Sequence, residues 1–317
     1  MERIVIVTAC DDKYAQYCGV LITSIFDNNK ENNVIVNILT DYISDENRNL
    51  MQQLERMYGR NINIINIDKE LFSALPLPNH APQINICTYY RLLIPTLFPT
   101  EEKVLYLDCD MIVRKNLIEL WKTDLNGYAF AGVRDCYQMQ RSCIRLNYTP
   151  DEFYYNAGMG LYNLDYLREI GFDNIVKDFV HEHYDLIICH DQDILNACFH
   201  GRFKSVSTTW NLLDVFIRRD YQYPYDDRDD FIRSCKDGAI IHYSGPCSKP
   251  WFKDTLHPYV KDFLFYYKIS PWSFELKYRL PIIKRMKTYI MYYFYNFLGL
   301  LGFKYGYLSP CNNKLTK

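Results

Sequence analysis

"VLYLDCDMIVRKN" occupies Val104 to Asn116. It opens as an apolar strand, Val104-Leu105-Tyr106-Leu107, and then sets two carboxylates, Asp108 and Asp110, two residues apart where the strand ends. In extended chain, positions i and i+2 share a side. Two carboxylates so placed cannot both stay ionised without a compensating charge. A divalent cation removes the conflict, because oxygen ligands suit Mg²⁺ or Mn²⁺. A lone D-x-D triplet arises often by chance, and a capped turn or a surface ion pair explains it as well. Here it ends a buried strand, and ligands of open α/β sheets gather at the carboxyl ends of strands.

Outward from this stretch the pattern is one of alternation. Residues 3–9 read as a short buried strand and 14–28 as a helix with Tyr17, Val20, Leu21, Ser24 and Ile25 at helical spacing. "NVIVNILT" (33–40) is a strand, and "SDENRNLMQQLERMYG" (44–59) a helix with Ser44 as N-cap and Gly59 as its stop. "INIINI" (62–67) and "KVLYLD" (103–108) continue the series. Strand, helix, strand, helix, strand is the signature of right-handed βαβ units on a parallel sheet. Beyond it, 128–133, 157–164 and 238–243 read as strands and 191–200 as a helix. The fold class is therefore α/β, a mixed and mainly parallel sheet flanked by helices.

Composition limits the function. The chain has 317 residues, 49% hydrophobic, which suffices for a large core. A formal net charge of −2 gives no global pull toward nucleic acid. The 29 tyrosines suit sugar clefts and membrane interfaces, but also ordinary half-buried packing. Eleven cysteines fall without a C-x-x-C pair. Met1-Glu2-Arg3 runs straight into "IVIVTA", with no room for a signal-peptide core, so the expectation is a cytoplasmic chain with reduced thiols. On that expectation the sequon Asn147-Tyr148-Thr149 carries no glycan. No G-x-x-x-x-G-K-[ST], G-x-G-x-x-G or H-E-x-x-H is present, so NTPase, dinucleotide and zincin readings have no support. His181-Glu182-His183 reads as a solvated helix face.

The tail has a different character. Residues 268–304 hold seven basic side chains against one acid, Glu275, interleaved with Trp272, Phe274, Tyr289, Tyr292, Tyr293, Phe294, Tyr295 and Phe297. The uncharged run 288–303 is shorter than the roughly 18–20 residues a spanning helix needs. Basic and aromatic residues on a short apolar helix compose an element lying in a membrane surface, or one packing on the body or a partner. The expected division is a catalytic domain at 1–267 and a membrane-associating segment at 268–317.

Five fragments in a fixed order carry a more specific signal: "VTACDDKY" (7–14), "TYYRLLIP" (88–95), "YYNAGMGLYNL" (154–164), "HDQDILN" (190–196) and "HYSGPCSKPW" (242–251). Over residues 3–255 the chain resembles the family 8 glycosyltransferases, retaining enzymes of GT-A fold that include bacterial lipopolysaccharide galactosyl- and glucosyltransferases and the glycogenins. The resemblance implies a UDP-sugar donor. Thr8, Ala9, Asp11 and Tyr14 would hold its uridine, with Asp11 accepting from the uracil N–H and Tyr14 stacking. Asp108 and Asp110, with Cys109 between them, and His242 would form the metal site; an imidazole beside carboxylates favours Mn²⁺ over Mg²⁺. Arg91 would contact the donor near its diphosphate or sugar. Asp135, Asn156, Ala157, Asp191 and Gln192 would surround the sugar, with Gln192, Asp191 and Asp135 as the catalytic set. Gly245 and Lys249 would close on the diphosphate.

Two departures from the family pattern stand out. Lys13 replaces a frequent asparagine, and the Gly245–Lys249 stretch is one residue longer than usual. The resemblance implies hexose transfer, galactose or glucose, to a saccharide or glycolipid acceptor at the cytoplasmic membrane face. It leaves open a same-face displacement or a double displacement through Asp191 or Gln192. Rival readings are a non-catalytic UDP-sugar-binding module, a metal-dependent phosphohydrolase and a glycogenin-like self-glucosylating enzyme.

Overall fold

The structure is a computed structural model, and it describes residues 1–77, 85–135, 139–217, 228–245 and 248–301. These contain ten strands: β1 (Arg3–Ala9), β2 (Asn33–Thr40), β3 (Asn61–Asn66), β4 (Lys103–Leu107), β5 (Met111–Val113), β6 (Phe130–Arg134), β7 (Tyr155–Asn163), β8 (Phe203–Ser205), β9 (Leu212–Leu213) and β10 (Ile240–His242). The chain divides into two compact units.

The first unit holds Met1–Cys18, Asn29–Cys109 and Leu117–Val206. Its sheet has seven strands in the order β3-β2-β1-β4-β7-β6-β8. β3, β2, β1 and β4 run parallel, as the alternation of strands and helices implies. β7 runs antiparallel to both β4 and β6, which makes the sheet mixed. Six of the seven β1 residues are buried, so this strand is apolar without alternation, as a strand covered on both faces must be. The helix Asp45–Tyr58 begins where the Ser44 hydroxyl accepts from the Asn47 N–H, and stops at Gly59, whose φ of 61° needs glycine.

Two features of this sheet position the site. β1 has β2 on one side and β4 on the other, the arrangement that opens a crevice at the strands' carboxyl ends. β4 ends at Leu107 opposite Met159, and the ladder continues one step, the Asp108 N–H donating to the Gly158 carbonyl at 2.8 Å. Asp108 is thereby held by backbone beside the start of β7.

The second unit holds Gly19–Asn28, Asp110–Asn116 and Ser207–Lys317. Its sheet is small, in the order β5-β10-β9. β10 pairs antiparallel with β5, placing His242 opposite Met111, and parallel with β9, placing His242 beside Leu213. The Tyr243 N–H then donates to the Asp110 carbonyl at 3.1 Å. In this unit the Trp272 ring lies over Gly19; any Cβ there would come within 2.3 Å of it, so the contact requires glycine. The helix Ile282–Leu300 leaves Ile283, Tyr293, Phe297 and Leu300 exposed. Among the described residues no helix is long and apolar enough to cross a membrane. Residues 302–317 of the tail lie outside the described part.

Candidate active site

In the first unit, Arg91 is the hub. It lies in the short helical run Ile86–Leu93 and is 4% exposed. Its Nη2 donates to Asp108 Oδ1 at 2.7 Å, its Nη1 to the Ala157 carbonyl, and its Nε lies 3.0 Å from Asp191 Oδ2 and 3.1 Å from the Thr88 carbonyl. The guanidinium rests on the Tyr106 ring, 4.1 Å from its centroid. Burial alone would lower the Arg91 pKa, but Asp108 and Asp191 hold the group well above its ordinary value. A planar cation that stays charged and forks toward two carboxylates suits this place better than lysine would.

Asp191 and Gln192 open the helix His190–Phe199. Asp191 is buried and accepts a hydrogen bond from the Thr88 hydroxyl. Burial pushes its carboxyl up from the usual range, against the pull of Arg91 and Thr88. His190, just before it, adopts φ 53°, a left-handed conformation that costs a non-glycine residue of order 1 kcal/mol. Its ring Nδ1 lies 3.1 Å from the Pro76 carbonyl, which fixes the turn. Asp193 accepts from Arg145, Tyr154 and the N–H groups of Ile188 and Cys189, so its charge serves the helix start.

The Gln192 amide is clamped between two elements. Its Oε1 accepts from the Ala157 N–H at 3.0 Å and lies 3.3 Å from Asn156 Nδ2, while its Nε2 donates to Asp135 Oδ2 at 3.1 Å. Asn156 also donates to Asp135 Oδ2, at 2.9 Å. Asp135, Asn156, Ala157 and Gln192 therefore form one hydrogen-bonded patch, and Arg91 links it to Asp191 and Asp108 through the Ala157 carbonyl.

At the end of β1, Thr8 is fully buried and its hydroxyl has no hydrogen-bond partner among the described residues; Ala9 is buried beside it. Asp11 accepts from the Tyr14 N–H and from Asn85 Nδ2, each at 2.8 Å. Tyr14 packs edge-on against Tyr17. Lys13 is exposed and Cys109 half-buried. Asp12 accepts from the Ser44 N–H and Asn47 Nδ2, a structural role.

In the second unit, Asp110 is the hub. His242 Nε2 lies 3.4 Å from its Oδ1, and the Lys249 ammonium donates to its Oδ2. Lys249 also donates to the Tyr243 carbonyl at 2.7 Å. The other ring nitrogen of His242 lies 3.0 Å from Asn211 Oδ1, which leaves Nε2 directed at the carboxylate. Burial would raise the Asp110 carboxyl, but Lys249 and His242 together hold it below the usual carboxylate range. Gly245 sits against Asp214 and Ser248.

Asp108 and Asp110 are separated in the chain by Cys109 alone. Within the second unit the Asp110 carboxylate and the His242 imidazole face each other, and such a pair fits a divalent cation of the Mg²⁺–Mn²⁺ range. Reading the sequence does not single out Asn85, Asn211 or Asp214, because each is an isolated polar residue without a motif of its own, and it gives Thr88, the first residue of "TYYRLLIP", no role.

The mixed, mostly parallel sheet of the first unit has the GT-A fold. A protein-family model described as glycosyl transferase family 8 matches residues 5–255. The chain belongs to that family and is a hexosyltransferase. It is 27% identical over 279 residues to general stress protein A of Bacillus subtilis, covering 86% of this chain and 96% of that protein. It is 30% identical over 293 residues to a lipopolysaccharide 1,2-glucosyltransferase of Escherichia coli, covering 88% of this chain and 80% of the relative. The structure of the galactosyltransferase LgtC in complex with donor and acceptor sugar analogues superposes with a TM-score of 0.77 at 28% identity, over 90% of this chain and all of that one.

Proposed function

We propose that the protein transfers a hexose, galactose or glucose, from a UDP-sugar to a saccharide acceptor, with retention at the anomeric carbon. The acceptor would be a lipid-linked cell-surface glycan such as lipopolysaccharide. The observation that carries this reading is Asp110, a strand-end carboxylate approached by His242 Nε2 and Lys249 in a chain of this family. With Asp108 two residues before it, this is a donor set for Mn²⁺, and a bound Mn²⁺ supplies Lewis-acid stabilisation to a departing diphosphate.

The remaining roles follow from chemistry. Thr8, Ala9, Asp11, Lys13 and Tyr14 take the uridine; the unpartnered Thr8 hydroxyl supports this, because a buried polar group without a partner is costly. Asp135, Asn156, Ala157, Asp191 and Gln192 take the sugar. Gln192, held by Ala157 and Asp135, offers a neutral dipole to an oxocarbenium-like carbon. Arg91 orients Asp108 and Asp191, and Gly245 and Lys249 meet the diphosphate. Residues 1–267 form the catalytic part. The helix Ile282–Leu300, with Lys284, Arg285 and Lys287 among exposed Ile283, Met286, Ile290 and Tyr293, docks on the cytoplasmic face of an anionic membrane.

The test is a panel of UDP-sugars with Mn²⁺, with and without acceptor. UDP release is expected from a UDP-hexose and is expected to rise when acceptor is added; acceptor-independent cleavage would turn the reading toward a phosphohydrolase. Asp110→Asn is expected to stay folded and to lose turnover by about 10³-fold or more together with its Mn²⁺ dependence. Truncation before residue 270 is expected to abolish binding to anionic liposomes; retained binding would remove the tail's role.

A further inference from the structure

We infer that Asp214 is a positioning residue that shapes the Ser244-Gly245 and Ser248-Lys249 ends of the diphosphate-binding stretch and so sets affinity for the donor's diphosphate. The inference rests on the reading above, in which Gly245 and Lys249 meet that group.

The small sheet brings Asp214 to this place. β9 and β10 pair in parallel, Leu213 beside His242, so Asp214 leaves β9 as Tyr243 and Ser244 leave β10. The Ser244 hydroxyl donates to Asp214 Oδ1 at 2.8 Å. The Ser248 hydroxyl reaches Asp214 Oδ2, also at 2.8 Å, and lies 3.1 Å from the Gly245 carbonyl. The two oxygens of one carboxylate thus hold two residues four positions apart. Tying the Ser244 and Ser248 side chains to one carboxylate fixes both before a ligand arrives.

Gly245 belongs to the same arrangement. A Cβ there would fall 2.5 Å from both Asp214 Oδ2 and Ser248 Oγ, so the close approach of the carboxylate requires glycine at 245. Lys249 follows Ser248 directly, and its stem is buried. Fixing Ser248 therefore fixes the root of the cation proposed to meet the phosphates. Asp214 makes these contacts without reaching the reacting atoms.

The test compares UDP with uridine, because uridine lacks the group in question. Binding of each to the full chain is measured by calorimetry with Mn²⁺ present. Asp214→Ala is expected to weaken UDP about tenfold and leave uridine within about twofold, as loss of hydrogen bonds to a charged group implies. Ser244→Ala and Ser248→Ala are each expected to weaken UDP about threefold, and to add nothing in the Asp214→Ala background, the mark of one shared interaction. Gly245→Ala is expected to behave as Asp214→Ala does, because its methyl displaces the carboxylate. Equal weakening of UDP and uridine, or wild-type UDP affinity in Asp214→Ala, would overturn the inference. If Asp214→Ala does not fold, the two serine variants and their double variant decide, with wild-type UDP affinity in all three overturning it. A wild-type chain that binds no UDP would sink the functional reading itself, and this inference with it.

Discussion

Asp108 and Asp110 are two residues apart, yet their surroundings follow different rules. Asp108 faces Arg91, a buried guanidinium that also holds Asp191 and two backbone carbonyls. Asp110 faces Lys249 and His242, each a single-point contact on a separate oxygen. The first arrangement is a scaffold: removing the cation strands two carboxylates and two carbonyls. The second rests on two separate contacts, one from a flexible ammonium and one from an imidazole, where the first rests on a single rigid fork. The lesson is that an acidic pair need not be balanced symmetrically.

That contrast breaks most visibly at Arg91. Arg91→Met is expected to cost about 3–5 kcal/mol of folding stability, because it leaves Asp191 and Asp108 without their cation. Chemical denaturation reads this directly, and a loss below about 1 kcal/mol would mean Arg91 is no keystone.

A pH experiment sharpens the second region. His257 packs edge-on against the Tyr243 ring, and burial pushes its pKa from 6.5 down to about 4, with the charge of Asp214 opposing. Its Nε2 has no hydrogen-bond partner among the described residues. A histidine depressed in the folded state is neutral in both states above 6.5. Below that, the unfolded chain takes up a proton that the folded chain refuses, so stability falls as pH drops from 6.5 to about 4. The loss is about 3 kcal/mol at roughly 1.4 kcal/mol per unit. Unfolding curves measured across that interval should show it in the wild type and should be flatter in His257→Phe.

The smallest effect is expected at Lys249. Lys249→Met keeps the apolar stem, and Asp110 retains His242, so the stability loss should be about 1–2 kcal/mol. Donor binding should suffer far more than folding does. A stability loss matching that of Arg91→Met would erase the distinction between the two acids.

Much of the first region was legible in advance. The limits of β1 and β2 and both caps of the helix Asp45–Tyr58 agree with the pattern of apolar residues, Ser44 and Gly59. The strand read at 103–108 ends at Leu107, with the Asp108 N–H still donating to the Gly158 carbonyl. The second region was less legible. "GAIIHY" reads as a strand, but its partners β5 and β9 have three and two residues, too few for any periodicity. Asn211, which directs the His242 ring, and Asp214, which ties two serines, carry no motif.

The parallel half of the sheet, the acids at its strand end and the order of the five fragments can all be read from the chain alone, because they depend on local periodicity and on neighbours in sequence. Which charge meets which acid is settled in three dimensions. That Arg91 serves Asp108 and Asp191 and that Lys249 reaches Asp110 depend on how distant helices and loops pack, while the places of His242 and Asp214 depend on strand register in the small sheet. Register is set by packing and ladder hydrogen bonds across the sheet, and no single stretch of chain encodes it.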